Sequence, residues 1–173
     1  ELPRDFPIQV IIDDSHGLGI TGPDGGGIFS QINVPDNVEL IVVSSLGKAF
    51  GVPGGVILGE KERLEEIRQS PHFGGASPVP PAFLHAFIQA QDLYRENLQR
   101  LRRNVRLFKE ALPEDPTFQS FDEYPVFYTP DPGLAAYLEQ PHFVVSSFPY
   151  PTPEDEPATR VVINSLHTEA DVE

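Results

Sequence analysis

One lysine follows a buried strand pattern in the middle of the chain. Leu40 to Val43 form an apolar, β-branched run of the kind that builds buried strands. Ser45 lies just after this run, and Lys48 comes three positions later. A lysine just past the end of a buried strand can be desolvated, which lowers its pKa and makes its amine a usable nucleophile. The alternative is an ordinary loop lysine, since most lysines are exposed.

A second strand pattern upstream supplies two further polar groups. The apolar residues of 8–12 predict another buried strand, with Asp13 at its end and His16 shortly after it. In an open α/β sheet, ligands bind outside the carboxyl ends of the strands. We therefore expect Asp13 and His16 to share one ligand-binding edge with Ser45 and Lys48.

These two segments resemble those of the fold type I pyridoxal-phosphate enzymes, in particular the α-oxoamine synthases. Residues 13–17, DDSHG, are similar to the family's D-E-A-H-S segment, and residues 45–51, SLGKAFG, to its T-L-S-K-A-L-G segment. Gly17 and Gly47 each stand where the family has a serine. The resemblance implies an α/β fold: part of the large domain, a mostly parallel sheet with helices, followed by a small α+β C-terminal domain.

The resemblance also implies a role for each residue at this edge. Lys48 would bind pyridoxal 5'-phosphate as a Schiff base, and Asp13 would pair with the pyridine nitrogen of the cofactor. His16 would hydrogen-bond the phenolic oxygen, and Ser45 would bind the phosphate through its hydroxyl. Condensation of an amino acid with an acyl-CoA, with loss of carbon dioxide, needs these four residues, and so does transamination with a keto acid. Both activities therefore remain open.

Two other residues are assigned through the same resemblance. Ser77 aligns with a threonine that contacts the cofactor phosphate of the partner subunit, which implies a homodimer with its active site at the interface. Arg160 aligns with an arginine that binds the substrate carboxylate, a task for which the planar guanidinium is well suited. The alternatives are a serine in a helix-entry loop and a surface arginine on a strand.

The domain organisation follows from composition, periodicity and the resemblance. We expect residues 1–95 to belong to the cofactor-binding large domain, 96–112 to form a connecting helix, and 113–173 to form a truncated small domain. An apolar stripe predicts one helix over 82–112. We predict shorter strands over 38–45, 54–59, 143–145 and 160–163, and shorter helices over 60–69 and 135–138. We also predict a loop over 72–82 and a glycine-rich loop over 17–27, and we expect most of the latter to be mobile surface.

Composition excludes some classes of function. The net charge is −14, with 26 acidic and 12 basic residues, which argues against nucleic-acid binding because that needs a basic footprint. The absence of cysteine rules out disulfides and thiolate metal sites within this sequence. A metal hydrolase built on Asp13, Asp14 and His16 is disfavoured because successive strand residues point to opposite faces. We expect no metal, no membrane span and a cytoplasmic location.

The resemblance covers only the second half of the family's length. The first half would carry the side chain that stacks on the cofactor ring and a glycine-rich loop that helps to hold its phosphate. We therefore expect the chain to be a fragment that is inactive by itself. A non-catalytic binding or dimerisation module is the alternative for the chain as it stands.

Overall fold

The computed structural model describes residues 3–112, 118–140 and 143–172. The chain divides into two compact units, Glu1–Arg95 and Glu96–Glu173. Each unit has its own sheet.

The first unit is built on a three-stranded sheet. Its strands are β1 (Ile8–Asp13), β2 (Val38–Ser45) and β3 (Gly55–Leu58), in the order β1-β2-β3. β1 and β2 are parallel, with Asp13 opposite Val43, and β3 runs antiparallel to β2. The predicted strand over 38–45 is confirmed. Because β1 and β2 run in the same direction, their carboxyl ends meet at one edge of the sheet.

β1 forms where predicted, but it is not a buried strand. Its side chains alternate between half-buried and exposed, and Ile11 is 63% exposed. The central strand β2, in contrast, buries Leu40, Ile41 and Val42. The difference arises because β1 has only one neighbouring strand among the described residues, whereas β2 is paired on both sides.

Four helices follow β3 along the chain. They are α1 (Lys61–Gln69), α2 (Pro71–Gly75), α3 (Pro81–Gln89) and α4 (Gln91–Ala111). The single helix predicted over 82–112 is wrong, because the backbone leaves helical geometry at Ala90 (φ −91°, ψ 12°). The loop predicted over 72–82 is wrong in part: Ser70 caps α2 by accepting a 3.2 Å hydrogen bond from the backbone N–H of Phe73.

The second unit contains an antiparallel four-stranded sheet. Its strands and remaining helices are β4 (Gln119–Ser120), β5 (Val126–Thr129), α5 (Pro132–Glu139), β6 (Ser146–Pro149), β7 (Pro157–Val162) and α6 (Glu169–Val172), with the sheet order β4-β5-β7-β6. The strand predicted over 143–145 is wrong, since β6 begins at Ser146. Phe127 and Thr159 are almost completely buried in this unit. None of the helices in the described part of the chain has both the length and the apolar character needed to cross a membrane.

Candidate active site

Hydrogen bonds join the carboxyl ends of β1 and β2 directly. The backbone N–H of Asp14 donates to the carbonyl of Val43 over 2.8 Å. The N–H of Ser45 donates to the Ser15 hydroxyl over 2.9 Å, and the Ser44 hydroxyl donates to the Asp14 carbonyl over 3.2 Å. The two strand ends that we expected to share an edge are therefore fixed to each other beyond the regular strand pairing.

Asp13 presents an ionised carboxylate at this edge. Its side chain is exposed, and its Oδ1 accepts a 2.9 Å hydrogen bond from the N–H of Ser15. Hydrogen bonding to the side chain and then the backbone of Ser15 holds the pKa of Asp13 below its usual value, and the electrostatic effects of Lys48 and then His16 act in the same direction. The carboxylate therefore stays charged at neutral pH and can bind a protonated ring nitrogen.

Lys48 and His16 form a direct contact, with 2.8 Å between Nζ and Nε2. The ammonium can donate this hydrogen bond when Nε2 of the imidazole carries no proton. Both side chains are exposed, so the desolvation expected for Lys48 is not provided by the described residues. Gly47 and Ala49, its two chain neighbours in the turn after β2, are exposed as well.

The turn that carries Lys48 is closed by backbone hydrogen bonds. The N–H of Val52 donates to the carbonyl of Leu46 over 3.0 Å, and the N–H of Leu46 donates to the carbonyl of Gly54 over 2.9 Å. The Ser45 hydroxyl accepts a 3.1 Å hydrogen bond from the N–H of Gly47. Its own proton remains available as a donor, because a hydroxyl can donate and accept at once. Ser45 can thus offer a hydrogen bond to an anion at this edge.

An aromatic cluster supports the same turn. The ring of Phe50 lies 5.1 Å from that of Phe87 and 5.0 Å from that of Tyr94, both in edge-to-face orientation. The Tyr94 hydroxyl also donates a 3.0 Å hydrogen bond to the carbonyl of Phe50. The sequence analysis missed this support, although three aromatic residues spaced along the Lys48 turn and the following helices were a usable signal.

The glycine-rich loop encloses the carboxylate of Asp14. Oδ2 of Asp14 accepts a 2.8 Å hydrogen bond from the N–H of Ile28. A Cβ on Gly17 would lie 2.0 Å from Oδ1, and a Cβ on Gly27 would lie 2.2 Å from Oδ2. Part of the loop that we expected to be mobile surface is thus a close-fitting enclosure, and Asp14 is a residue whose role the sequence analysis did not identify.

Ser77 lies in a different part of the first unit. It is exposed in the segment between α2 and α3, and it lines a cavity of about 800 Å³ between the sheet and the helices α1 to α3. Ser15 and Ser44 line the same cavity. The cavity therefore reaches the ends of β1 and β2, but its lining residues do not include Asp13, His16 or Lys48.

Arg160 lies on β7 of the second unit, where it is half-buried. Its guanidinium carbon lies 4.9 Å from the ring centre of Phe148 and 5.0 Å from that of Tyr150. Such contacts are favourable cation–π interactions that orient the guanidinium. Within residues 3–112, 118–140 and 143–172, no three His, Cys, Asp or Glu side chains are grouped so that they could hold a metal ion.

The chain is similar to known enzymes over its whole length. The 8-amino-7-oxononanoate synthase of Thermosipho melanesiensis is 32% identical across the entire chain, which covers 47% of that protein. The crystal structure of the 8-amino-7-oxononanoate synthase of Francisella tularensis superimposes with a TM-score of 0.73 at 26% identity, over 94% of this chain and 51% of that one. A high-resolution structure of SPT with a PLP internal aldimine gives a TM-score of 0.73 at 21% identity, covering 95% of this chain and 44% of that one, which shows a shared fold.

The chain spans about half the length of the relatives that it matches. The family model described as aminotransferase class I and II matches residues 1–173, the whole sequence. The α/β fold, the strand-end site and this match agree with the family that the two site segments indicated, and the chain belongs to the aminotransferase class I and II family.

Proposed function

We propose that the whole protein is a pyridoxal-phosphate-dependent acyltransferase that condenses an amino acid with an acyl-CoA and releases carbon dioxide. The observation that carries this proposal is the meeting of Asp13, Ser45 and the Lys48–His16 pair at one edge of the sheet. The similarity to 8-amino-7-oxononanoate synthases supports the acyltransferase activity in particular.

The chemistry of these side chains fits the cofactor. Pyridoxal phosphate carries an aldehyde, a phenolic oxygen, a basic ring nitrogen and a phosphate. The edge offers an amine, an imidazole, a carboxylate with a lowered pKa and a hydroxyl with a free proton. When bound, the cofactor supplies an electron sink that stabilises negative charge on the α-carbon of the substrate.

Each residue then has a distinct task. Asp13 would keep a proton on the ring nitrogen, since an ionised carboxylate favours a neighbouring positive charge. Ser45 would bind the phosphate, and His16 the phenolic oxygen. Lys48 would hold the aldehyde and, once free, would accept and return the proton at the α-carbon of the substrate.

We assign the remaining tasks by family resemblance. Ser77 would contact the cofactor phosphate of the partner subunit in a homodimer, and Arg160 would bind the carboxylate of the amino acid substrate. Residues 1–95 would belong to the cofactor-binding large domain, 96–112 to the connecting helix and 113–173 to the small domain. We place the protein in the cytoplasm.

An aminotransferase is the second candidate. The matching family model is named for aminotransferases, and the four edge residues suit transamination equally well. In that case the substrates would be an amino acid and a keto acid, and the acyl-CoA would not be used.

The experiment begins with the whole protein loaded with pyridoxal phosphate. We expect a visible absorption band that Lys48→Ala abolishes and that Lys61→Ala, a change at an exposed lysine on α1, leaves in place. A wild-type protein that stays colourless after loading would overturn the cofactor assignment.

A second measurement separates the two activities. Glycine, alanine or serine is supplied with an acyl-CoA, and the release of free thiol is followed. Thiol release supports the acyltransferase, whereas keto acid formed without thiol release selects the aminotransferase. Asp13→Ala should retain the lysine-bound cofactor and lose most of the activity.

A further inference from the structure

Ser15 stands between the carboxylate of Asp13 and the end of β2. In the family segment D-E-A-H-S this position holds an alanine, so the hydroxyl is a feature of this chain. The side chain is half-buried. Its Oγ accepts a 2.9 Å hydrogen bond from the N–H of Ser45, thirty positions further along the chain.

The same residue also holds the carboxylate of Asp13 and lowers its pKa. The backbone N–H of Ser15 donates to Oδ1 of Asp13 over 2.9 Å. Among the causes that lower the pKa of Asp13, the Ser15 side chain comes first and this backbone hydrogen bond second. A hydroxyl has one proton to donate and lone pairs to accept, so Ser15 can serve the carboxylate and the Ser45 N–H simultaneously.

We propose that Ser15 is a positioning residue, which ties the Asp13 carboxylate to the β2 end from which the Lys48 turn begins. The Ser15 hydroxyl holds residue 15 to the Ser45 backbone, and the Ser15 N–H holds the carboxylate. The Asp13 carboxylate and the Lys48 amine, which would bind different parts of the cofactor, are thereby aligned before it arrives. This inference rests on the proposed cofactor. An alanine at this position would keep the N–H that binds Oδ1 of Asp13 but would remove the hydroxyl. The Ser45 N–H would then lack this partner, and the hold of residue 15 on the carboxylate would loosen.

Ser44 provides a matched control for Ser15. Its hydroxyl also bridges the two strand ends, by donating to the Asp14 carbonyl over 3.2 Å, and it is itself buried. It serves a backbone carbonyl and not the Asp13 carboxylate. Ser44→Ala therefore reports the general cost of removing one hydroxyl from this edge, whereas Ser15→Ala reports the hold on the carboxylate.

The first measurement is independent of the cofactor. The titration of Asp13 is followed by carbon-13 NMR in the unloaded whole protein, with aspartate labelled at the carboxyl and the Asp13 signal identified by its loss in Asp13→Asn. The other charges that act on this carboxyl, Lys48 and His16, are left unchanged. Ser15→Ala should raise the pKa of Asp13 towards the ordinary aspartate value, Ser15→Thr should restore the lowered pKa, and Ser44→Ala should not move it. A Ser15→Ala protein that titrates like wild type would overturn the proposal.

The second measurement is the affinity for pyridoxal phosphate by equilibrium dialysis at neutral pH. Ser15→Ala should weaken binding by about tenfold, the scale expected for losing one hydrogen bond to a charged group. In the Asp13→Asn background the same change should have a much smaller effect, because the two residues act together. If Ser15→Ala lowers the affinity for pyridoxal phosphate equally in the wild-type and the Asp13→Asn proteins, Ser15 does not act through Asp13. If wild-type protein binds no cofactor at all, the proposed function fails, while the titration still decides whether Ser15 holds the carboxylate.

Discussion

Replacement of Gly27 by alanine tests whether the glycine-rich loop is built around Asp14. Gly27 has a positive φ of 68°, and a Cβ there would lie 2.2 Å from Oδ2 of Asp14. This oxygen accepts the 2.8 Å hydrogen bond from the N–H of Ile28. The substitution therefore requires an unfavourable backbone conformation and also displaces a hydrogen-bonded carboxylate.

The two costs can be estimated separately. An alanine held in the left-handed region costs about 1–2 kcal/mol. Losing a hydrogen bond to a charged group costs about 1.5–3 kcal/mol more. We expect Gly27→Ala to lower the free energy of unfolding by about 2.5–5 kcal/mol, the sum of the two.

Gly51 supplies the matched control, because its φ is 64° and nothing lies within 4 Å of the place where its Cβ would be. Gly51→Ala should therefore cost only the conformational part, about 1–2 kcal/mol. Both variants are compared with wild type in the whole protein by urea unfolding, followed by far-ultraviolet circular dichroism, with the slope of the transition checked for constancy.

A double variant identifies the clash. In an Asp14→Ala background, Gly27→Ala should cost only a little more than Gly51→Ala does, since the displaced carboxylate is gone and the 3.2 Å contact with the Cα of Leu18 remains. If Gly27→Ala and Gly51→Ala destabilise the wild-type protein equally, the carboxylate does not constrain the loop and the reasoning is refuted.

Three other changes test separate parts of the fold. The buried side chain of Asn104 donates from Nδ2 to the carbonyls of residues 164 and 167, at 3.0 and 2.9 Å. Asn104→Asp should therefore lower the free energy of unfolding by about 3–5 kcal/mol at neutral pH, and by less in acid, where the carboxyl regains a proton. A loss of stability that is independent of pH in urea unfolding would contradict this. The Arg63 guanidinium, with help from Gln9, lowers the pKa of Glu39, so this pair stabilises the fold above the unfolded glutamate pKa of about 4.3, and the effect is lost as the pH falls through the lowered folded value. Arg63→Ala should therefore be less stable than wild type at neutral pH and equal to it in strong acid, and a deficit that persists in acid would exclude the ion pair as its cause. Tyr94→Phe keeps the ring contact with Phe50 and removes the hydrogen bond from the Tyr94 hydroxyl to the Phe50 carbonyl. The thermal midpoint of unfolding should fall by an amount equivalent to about 1 kcal/mol. An unchanged midpoint would mean that the hydroxyl does not support the turn that carries Lys48.

Elements with a regular local pattern were predicted well from the sequence. The strand over 38–45 is a continuous apolar run with a polar end, and β2 has these bounds in the structure. The charged segment over 60–69 forms α1, and the residues around 135–138 lie within α5. The break at Ala90 was not predictable in this way, because alanine is a strong helix former and nothing local marks the interruption.

The site was predictable in residue type and only partly in its environment. Polar residues placed at the ends of two parallel strands must meet at one edge, so the approach of Asp13 to the Lys48 turn could be expected from the strand pattern. The exposure of Lys48 depends on which other segments cover it, and the bond from Ser45 to Ser15 depends on the register between strands thirty positions apart. Neither property is encoded in the neighbouring residues.

Gly17 and Gly47, the two positions at which the family has a serine, differ in the space that they leave for a side chain. A side chain at Gly47 would find its Cβ 3.4 Å from the Ser45 hydroxyl and 3.8 Å from the Val52 carbonyl, which are ordinary contacts. A side chain at Gly17 would place its Cβ 2.0 Å from Oδ1 of Asp14. The family's serine could therefore be restored at position 47 without moving its neighbours, but not at position 17 unless Asp14 gave up its place in the loop. The glycine at 17 and the aspartate at 14 are thus a coupled pair in this chain, and they hold the segment that presents Asp13.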